Sequence, residues 1–171
     1  MPVNSKKLNP ILSLSFLLVI LLLVSSCSSR RHNAYVNTRA AEAAEAMADL
    51  KNKALYRFIT EWAGVSYKLG GLDKRGIDCS GFALLLNKEI YGISLPRRSR
   101  DQAGVIREKE LSQLKEGDLV FFSFGGKEVD HVGVYLNHGY FVHASTRRGV
   151  VVDDLMLQDF QRVLVKSGTV K

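Results

Sequence analysis

The hydrophobic pattern of this sequence changes its period once, and that change sets the class of fold. Before residue 92, apolar residues recur every three or four positions, which predicts amphipathic helices. After residue 118 the pattern alternates, which predicts β-strands. The predicted strands are Leu119–Phe124, His131–Leu136, Tyr140–Ala144 and Val150–Val152. Helices followed by antiparallel strands predict an α+β domain in which N-terminal helices pack on a small sheet.

Three helices are predicted in the first two thirds of the chain. An Ala- and Glu-rich run begins at Thr38 and leads into an apolar stripe that ends at Trp62, which predicts one continuous helix. A second helix is predicted over Cys79–Tyr91. The third is predicted to begin at Ser99, because Ser99 and Gln102 have the spacing of a capping box.

Residues 1–26 have the pattern of an export signal. Lys6 and Lys7 precede the apolar stretch Ile11–Val24, which is too short for a typical membrane-spanning helix. Small residues then precede Cys27. This arrangement resembles a bacterial lipoprotein signal, in which cleavage leaves the cysteine at the new N-terminus and its thiol carries a diacylglycerol group. A simple secretory signal with an incidental cysteine, or an uncleaved anchor, are the alternatives.

Lipidation at Cys27 would fix where the protein resides. Acyl chains hold a protein to a bilayer without a spanning helix. Ser28, rather than Asp, follows the cysteine, which resembles the outer-membrane sorting pattern of double-membraned bacteria. The expected location is the cell envelope, at the outer membrane and facing the periplasm. Residues 27–49 are expected to form the lipid anchor, a tether and a spacer helix, and residues 50–171 the domain.

Charge and cysteine content exclude several classes of protein. The net charge of +7 falls to +5 without the two lysines of the signal, and no basic run with interleaved aromatic residues remains, so nucleic-acid binding is not expected. Two cysteines cannot form a disulfide framework. If Cys27 is lipidated, Cys79 is a free thiol in an exported protein, which is unusual and needs a reason.

Cys79 is the first candidate for chemistry, because it begins a predicted helix. The partial positive charge at a helix N-terminus is expected to lower the pKa of a thiol and to favour the nucleophilic thiolate. Free N–H groups at the same helix end can bind an oxyanion.

His131 and His143 are the second candidates. If Asn137-His138-Gly139 is a three-residue hairpin loop, the two histidines share one face of the sheet as a diagonal pair. A two-residue loop would put them on opposite faces. On one face, one histidine can take the cysteine proton while the other orients it.

Each of these residues also has a purely structural interpretation. A lone buried cysteine is usually a small apolar side chain, and a strand histidine is usually a hydrogen-bonded polar residue. A zinc site lacks a fourth ligand and any CxxC spacing. His32 and His138 are expected to be solvated, without a role.

The residues around the cysteine and the two histidines resemble the NlpC family of bacterial cell-wall cysteine peptidases. The similarity runs from about Leu55 to Val165. It is carried, in chain order, by Tyr67-x-x-Gly70-Gly71, Gly76-Ile77-Asp78-Cys79-Ser80-Gly81-Phe82, Leu95-Pro96-Arg97, Gln102, Gly117-Asp118-Leu119-Val120-Phe121-Phe122, His131-Val132-Gly133-Val134-Tyr135 and His143-Ala144. The Asp-Cys-Ser-Gly-Phe string, followed by His-Val-Gly and a second histidine, is a specific combination.

The resemblance implies a single papain-like domain that hydrolyses amide bonds in peptidoglycan stem peptides. It implies that Cys79 is the nucleophile, His131 the base and His143 the group that orients His131. It also implies that Tyr67 helps to stabilise the oxyanion. Only a tether precedes residue 50, so the chain resembles the compact lipoprotein members of the family.

Further expectations follow from the same resemblance. Asp78 and Ser80 are expected to line the substrate cleft, and no metal or other cofactor is expected. The expected partners are peptidoglycan stem peptides and a membrane bound through Cys27, with the protein a monomer. Two alternatives on this fold stay open: an amidase or acyltransferase for another substrate, and an inactive wall-binding lipoprotein.

Arg97, Arg98 and Arg100 form a basic cluster near the predicted cleft. One interpretation is that they hold carboxylates of the stem peptide. The other is a solvated basic loop.

Overall fold

The structure, a computed structural model, describes residues 36–171. The chain divides into two compact units, with the boundary between residues 42 and 43. Helix α1, residues 36–48, contains the described part of the first unit. All the features below belong to the second unit, residues 43–171. The predicted signal, Cys27 and His32 lie outside the described residues.

The helix predicted from Thr38 to Trp62 is in fact two helices. Helix α2 spans Lys53–Trp62, and Asn52 is its N-cap, accepting hydrogen bonds from the N–H groups of Ala54 and Leu55 at 3.0 and 3.2 Å. The N–H of Asn52 in turn donates to Glu116 at 2.9 Å. The prediction of one continuous helix is therefore wrong, because an asparagine cap begins a new helix here.

Helix α3 spans Cys79–Leu86 and continues as a wider π-helical turn over Asn87–Tyr91. Gly92 ends it with a φ of +68°, a left-handed conformation that glycine adopts without strain. The predicted helix over Cys79–Tyr91 is confirmed.

Helix α4 spans Ser99–Gly104 but does not begin with a capping box. Arg98 is its N-cap and makes no side-chain capping bond. The side-chain amide of Gln102 donates instead to the carbonyl oxygens of Ser80 and Pro96, at 2.9 and 2.8 Å. The capping-box prediction at Ser99 is wrong because the Gln102 amide makes these tertiary contacts.

The strands form two antiparallel sheets. A small hairpin pairs β1 (Leu72–Asp73) with β2 (Gly76–Ile77). The main sheet has six strands in the order β3-β8-β4-β5-β6-β7. These are β3 (Ile106–Glu108), β4 (Leu119–Phe122), β5 (His131–Tyr135), β6 (Tyr140–Ser145), β7 (Gly149–Asp154) and β8 (Leu164–Val170). The four predicted strands are confirmed as β4 to β7, with ends shifted by up to two residues, whereas the other strands were not predicted.

Helices cover one face of the main sheet, and a smaller aromatic cluster covers the other. Phe82 of α3 is fully buried and contacts the rings of Phe58 and Trp62 from α2. On the opposite face, Phe122 and Phe141 pack against Phe160, which belongs to the short helix α5 (Gln158–Gln161). The α+β architecture is therefore confirmed, with α3 packed on β5 and β6.

Candidate active site

Cys79 is the first residue of α3, at one wall of an open groove of about 500 Å³. Asp78 is the N-cap of the helix, and its Oδ1 accepts a hydrogen bond from the N–H of Gly81 at 2.7 Å. Aspartate is a preferred N-cap, which explains why the helix begins here. Cys79 is 5% exposed, yet it lines the groove, so the sulfur is accessible from one side only.

Burial controls the charge of this thiol. Burial, together with the negative charge of Asp78, raises the pKa of Cys79 to about 11. A hydrogen bond from the N–H of Val132 to the sulfur acts in the opposite direction but does not outweigh burial. The predicted lowering of the pKa at the helix N-terminus is therefore wrong for the resting protein, because desolvation disfavours the thiolate more strongly. Cys79 rests as a thiol.

The hairpin between β5 and β6 brings the two histidines together. The N–H of Leu136 donates to the carbonyl of Tyr140, so the loop has three residues, as the sequence predicted. His131 Nε2 and His143 Nδ1 lie 2.6 Å apart, with the rings nearly perpendicular. The predicted diagonal pair is confirmed. His138 in the turn is exposed and contacts Asp49 at 3.0 Å.

His131 lies at the end of β5 that adjoins the cysteine. The amide of Val132, the next residue, is the group that hydrogen-bonds the Cys79 sulfur. Burial and, to a smaller extent, the neighbouring His143 lower the pKa of His131 to about 3, although Asp153 acts in the opposite direction. His131 is therefore a neutral imidazole at neutral pH, the form that can accept a proton.

A carboxylate that the sequence analysis did not identify continues this arrangement. His143 Nε2 lies 2.9 Å from Oδ2 of Asp153 on β7, and Arg148 donates to both oxygens of the same carboxylate. Burial alone would raise the pKa of Asp153, but hydrogen bonds from His143 and Arg148 outweigh it and lower the pKa to about 2. Asp153 is therefore ionised.

The signal that identifies Asp153 is the register of the β6–β7 hairpin. His143 pairs with Val151, so Asp153 lies two residues further along β7, on the same face as His143. The predicted strand ended at Val152. Extending that strand by one residue would have placed a carboxylate beside the histidine pair.

Tyr67 lines the same groove as Cys79. Its backbone forms a parallel bridge with Ile77, just before the N-cap of α3. Burial raises the pKa of the Tyr67 hydroxyl, and negative charge on Asp78, and on Cys79 whenever its thiol is ionised, raises it further. The hydroxyl is therefore protonated at neutral pH and is a hydrogen-bond donor near the sulfur.

Asp78 is the centre of a dense set of hydrogen bonds. Its carboxylate accepts from the N–H groups of Gly70 and Gly81, both at 2.7 Å, and from the Ser80 hydroxyl at 3.2 Å. Arg97 adds two parallel bonds at 2.8 and 2.6 Å. Burial would raise the pKa of Asp78, but these bonds lower it below its usual value. The three residues predicted to bind substrate, Asp78, Ser80 and Arg97, therefore bond to one another and also line the groove.

The other two arginines of the basic cluster also have acidic partners. Arg98 pairs with Asp101 at 2.8 Å, and Arg100 pairs with Glu128 across the groove. Both pairs are exposed. An incoming carboxylate would have to compete with these partners.

Residues 36–171 were also compared with the requirements of a metal site and of a membrane span, and they meet neither. In that range no group of three or more His, Cys, Asp and Glu side chains is arranged to hold a metal ion. None of the helices described there has both the length and the apolar character needed to cross a membrane.

Comparison with known proteins identifies the family. The model of the NlpC/P60 family matches residues 64–169. This range includes Tyr67, Cys79, His131, His143 and Asp153. The chain belongs to the NlpC/P60 family. A crystal structure of an NlpC/P60 protein from Bacillus cereus ATCC 10987 superposes with a TM-score of 0.63 at 28% identity, covering 68% of this chain and 39% of that one. The papain-like α+β fold is that of the family.

The names of two similar proteins state enzymatic activities. The probable endopeptidase NlpC homolog of Haemophilus influenzae is 42% identical over 116 residues, covering 68% of this chain and 61% of the relative. The murein DD-endopeptidase MepS/murein LD-carboxypeptidase of Escherichia coli K12 is 40% identical over 107 residues, covering 63% of this chain and 56% of the relative. The matched segments thus span about three fifths of these NlpC/P60 relatives.

Proposed function

We propose that this protein is a cysteine peptidase that hydrolyses an amide bond in the stem peptides of peptidoglycan. The observation that supports it most is the hydrogen-bonded pair of His131 and His143, beside the amide that binds the Cys79 sulfur. A thiol, a base and a group that orients the base are the parts that nucleophilic acyl transfer requires. The name of the E. coli relative supplies the substrate class, since murein is peptidoglycan.

In the proposed first step, the Cys79 sulfur attacks the carbonyl carbon of the scissile amide while His131 accepts the thiol proton. Because burial disfavours both the thiolate and the imidazolium, proton transfer accompanies the attack rather than preceding it. The electron pair of the carbonyl double bond moves to oxygen. Collapse of this intermediate breaks the C–N bond, and His131 gives its proton to the leaving amine.

A thioester on Cys79 then remains, and water hydrolyses it. His131, neutral again, accepts a proton from the water as the oxygen attacks the thioester carbon. The C–S bond breaks, the proton returns to the sulfur, and the peptide leaves as a carboxylic acid. No other reactant is needed.

Groups at the head of the groove stabilise the oxyanion in this proposal. The protonated Tyr67 hydroxyl is one donor, and the N–H groups at the start of α3 are the others. Asp78, Ser80 and Arg97 form the adjacent wall, so the proposal keeps them as residues that shape the substrate cleft.

We also propose that Cys27 is lipidated and holds the protein at the outer membrane, facing the periplasm. The sequence pattern supports this proposal. A tether would raise the local concentration of a polymeric substrate that cannot diffuse. The test is membrane fractionation of cells that express wild type or Cys27→Ala. Recovery of both proteins in the membrane fraction would refute anchoring through Cys27.

Digestion of purified sacculi and of defined muropeptides tests the enzymatic proposal. Wild type, Cys79→Ala and His131→Ala are compared, with the exposed turn variant His138→Ala as the matched histidine control. We expect wild type and the control to release fragments with a new amine and a new carboxylic acid, whose masses identify the bond. An acylated acceptor would indicate a transferase instead. Equal release by wild type and Cys79→Ala would refute catalysis by this thiol.

A further inference from the structure

The hydrogen bonds behind His131 run through His143 to a third residue, the acidic Asp153. His131 Nε2 faces His143 Nδ1 at 2.6 Å, and His143 Nε2 faces Asp153 Oδ2 at 2.9 Å. Arg148 donates from Nη1 to Oδ1 at 3.0 Å and from Nη2 to Oδ2 at 2.5 Å. The two histidines are 8% and 4% exposed, so water does not compete for these contacts.

The direction of each hydrogen bond follows from the carboxylate end. An ionised carboxylate only accepts, so the nitrogen of His143 that faces Asp153 must carry a proton. In the arrangement in which both imidazoles are neutral, this is the only ring proton of His143, so the other nitrogen of His143 is an acceptor. His131 Nε2 must then be the donor, which leaves a free lone pair on His131 Nδ1.

We propose that Asp153 is a positioning residue that sets the tautomer of His131 through His143, leaving Nδ1 of His131 as the atom that takes the cysteine proton. This inference rests on the proposed function for its catalytic consequence, but the tautomer itself is a property of the resting protein. Without a fixed direction in this chain of bonds, Nδ1 would carry the proton in part of the population, and those molecules would lack a base.

Arg148 at Asp153 and two aromatic rings at His143 make the arrangement directional. Arg148 supplies two donors, so both oxygens of residue 153 face donors and each must accept. The rings of Phe141 and Phe160 lie 4.9 and 5.9 Å from the His143 ring, which restricts its rotation. His143 therefore cannot readily turn to present the opposite nitrogen.

Asparagine and alanine at position 153 are expected to differ in an unusual order. Asparagine at position 153 has one oxygen, which Arg148 engages, and its amide group then donates to His143 Nε2. The chain of bonds reverses, and His131 carries its proton on Nδ1. Asp153→Asn is therefore expected to lower kcat by about 10- to 100-fold, the size of effect found for hydrogen-bond partners of metal-bound histidines, with KM unchanged. Asp153→Ala removes the preference for a proton on Nε2 of His131 without reversing it, and is expected to lower kcat less than Asp153→Asn does.

Nitrogen-15 NMR of the histidine rings is the direct test, and it needs no substrate. In the wild type at neutral pH, His131 is expected to carry its proton on Nε2, and in Asp153→Asn on Nδ1. A wild-type His131 protonated on Nδ1 would overturn the inference even if every variant failed to fold. Alkylation of Cys79 by iodoacetamide is the second readout, expected to slow in Asp153→Asn, with the exposed Asp159→Asn as the matched control.

The outcomes separate this inference from the proposed function. The expected tautomer and slower alkylation, without any cleavage of muropeptides, would support the role of Asp153 and count against the peptidase. A folded Asp153→Asn that equals wild type in kcat would overturn the inference. So would Asp153→Ala being the more damaging change, because a merely structural role favours the isosteric asparagine.

Discussion

Arg97→Ala tests whether Arg97 acts through Asp78. The Asp78 side chain is 6% exposed, and Arg97 is its only cationic partner among the described contacts. The substitution removes two of the five hydrogen bonds to this carboxylate and leaves those from Gly70, Gly81 and Ser80. A buried charge would remain without its counter-ion.

The magnitude follows from the burial of the two partners. Removing one partner of a fully buried ion pair costs about 3–5 kcal/mol. The Arg97 side chain is 35% exposed, and three donors to Asp78 remain, so the full cost does not apply. We expect the free energy of unfolding to fall by about 2–3 kcal/mol.

Urea unfolding at neutral pH measures this loss, and Arg98→Ala is the matched control. Arg98 pairs with Asp101, and both side chains are exposed, so the control should lose no more than about 1 kcal/mol. The pH dependence adds a second criterion. In the wild type the lowered pKa of Asp78 contributes stability above its unfolded pKa, and this is lost as the pH falls through the folded pKa.

Burial raises the pKa of Asp78, and Arg97 opposes this through its hydrogen bonds and its positive charge, so removal of Arg97 should raise that pKa relative to wild type. As the pH falls, protonation of Asp78 removes the unpaired buried charge in the variant. The difference in free energy of unfolding between variant and wild type should therefore shrink below about pH 4. Equal stability losses in Arg97→Ala and Arg98→Ala would refute this reasoning. A raised KM without any loss of stability would assign Arg97 to substrate binding alone.

Three further predictions concern the core and the acid limit of stability. Phe82→Ala should lower the free energy of unfolding by about 3–5 kcal/mol in urea titrations, because the ring is fully buried; a loss below about 1 kcal/mol would contradict this packing. Gly133→Ala should lower both stability and kcat, because its Cβ would lie 2.4 Å from Cδ2 of Phe141, which packs against the His143 ring; an unchanged kcat would refute the link. Asp153, with its pKa lowered to about 2, should contribute about 2 kcal/mol above its unfolded pKa, lost as the pH falls from about 4 through 2; acid unfolding of Asp153→Asn at the same pH as wild type would exclude this contribution of Asp153 to stability.

The parts of the fold that local pattern determines were predictable. The loop Asn137-His138-Gly139 fixes the register of β5 and β6, and that register puts His131 and His143 on one face. The start of α3 was predictable for a similar reason, because Asp78 is a preferred N-cap directly before an apolar helical run.

The parts that depend on distant contacts were not predictable. The break before α2 needs Glu116, which lies 64 residues from Asn52 and bonds to its backbone. Strand β8 pairs with β3 and β4. Its consecutive residues Lys166, Ser167 and Gly168 interrupt the alternation of apolar and polar residues by which a strand is predicted. Short strands of this kind are defined by their partners rather than by their own composition.

Some features of the candidate active site were also predictable from the sequence, and others were not. The residue types of Cys79 and His131 carry a strong chemical signal, so they were predictable as candidates. The charge state of Cys79 was not, because the pKa of a thiol depends on how deeply the tertiary fold buries it. Arg148 and Asp153 have no distinctive spacing, and only the β6–β7 register brings them to His143.

Mass spectrometry of protein quenched in acid during turnover tests the central claim most directly. We expect wild type incubated with a muropeptide to carry an added mass equal to the acyl fragment, on the peptide that contains Cys79. Hydroxylamine should also release the adduct, as expected for a thioester. Turnover by Cys79→Ala, or an adduct on any other residue, would contradict the proposal that this thiol is the nucleophile.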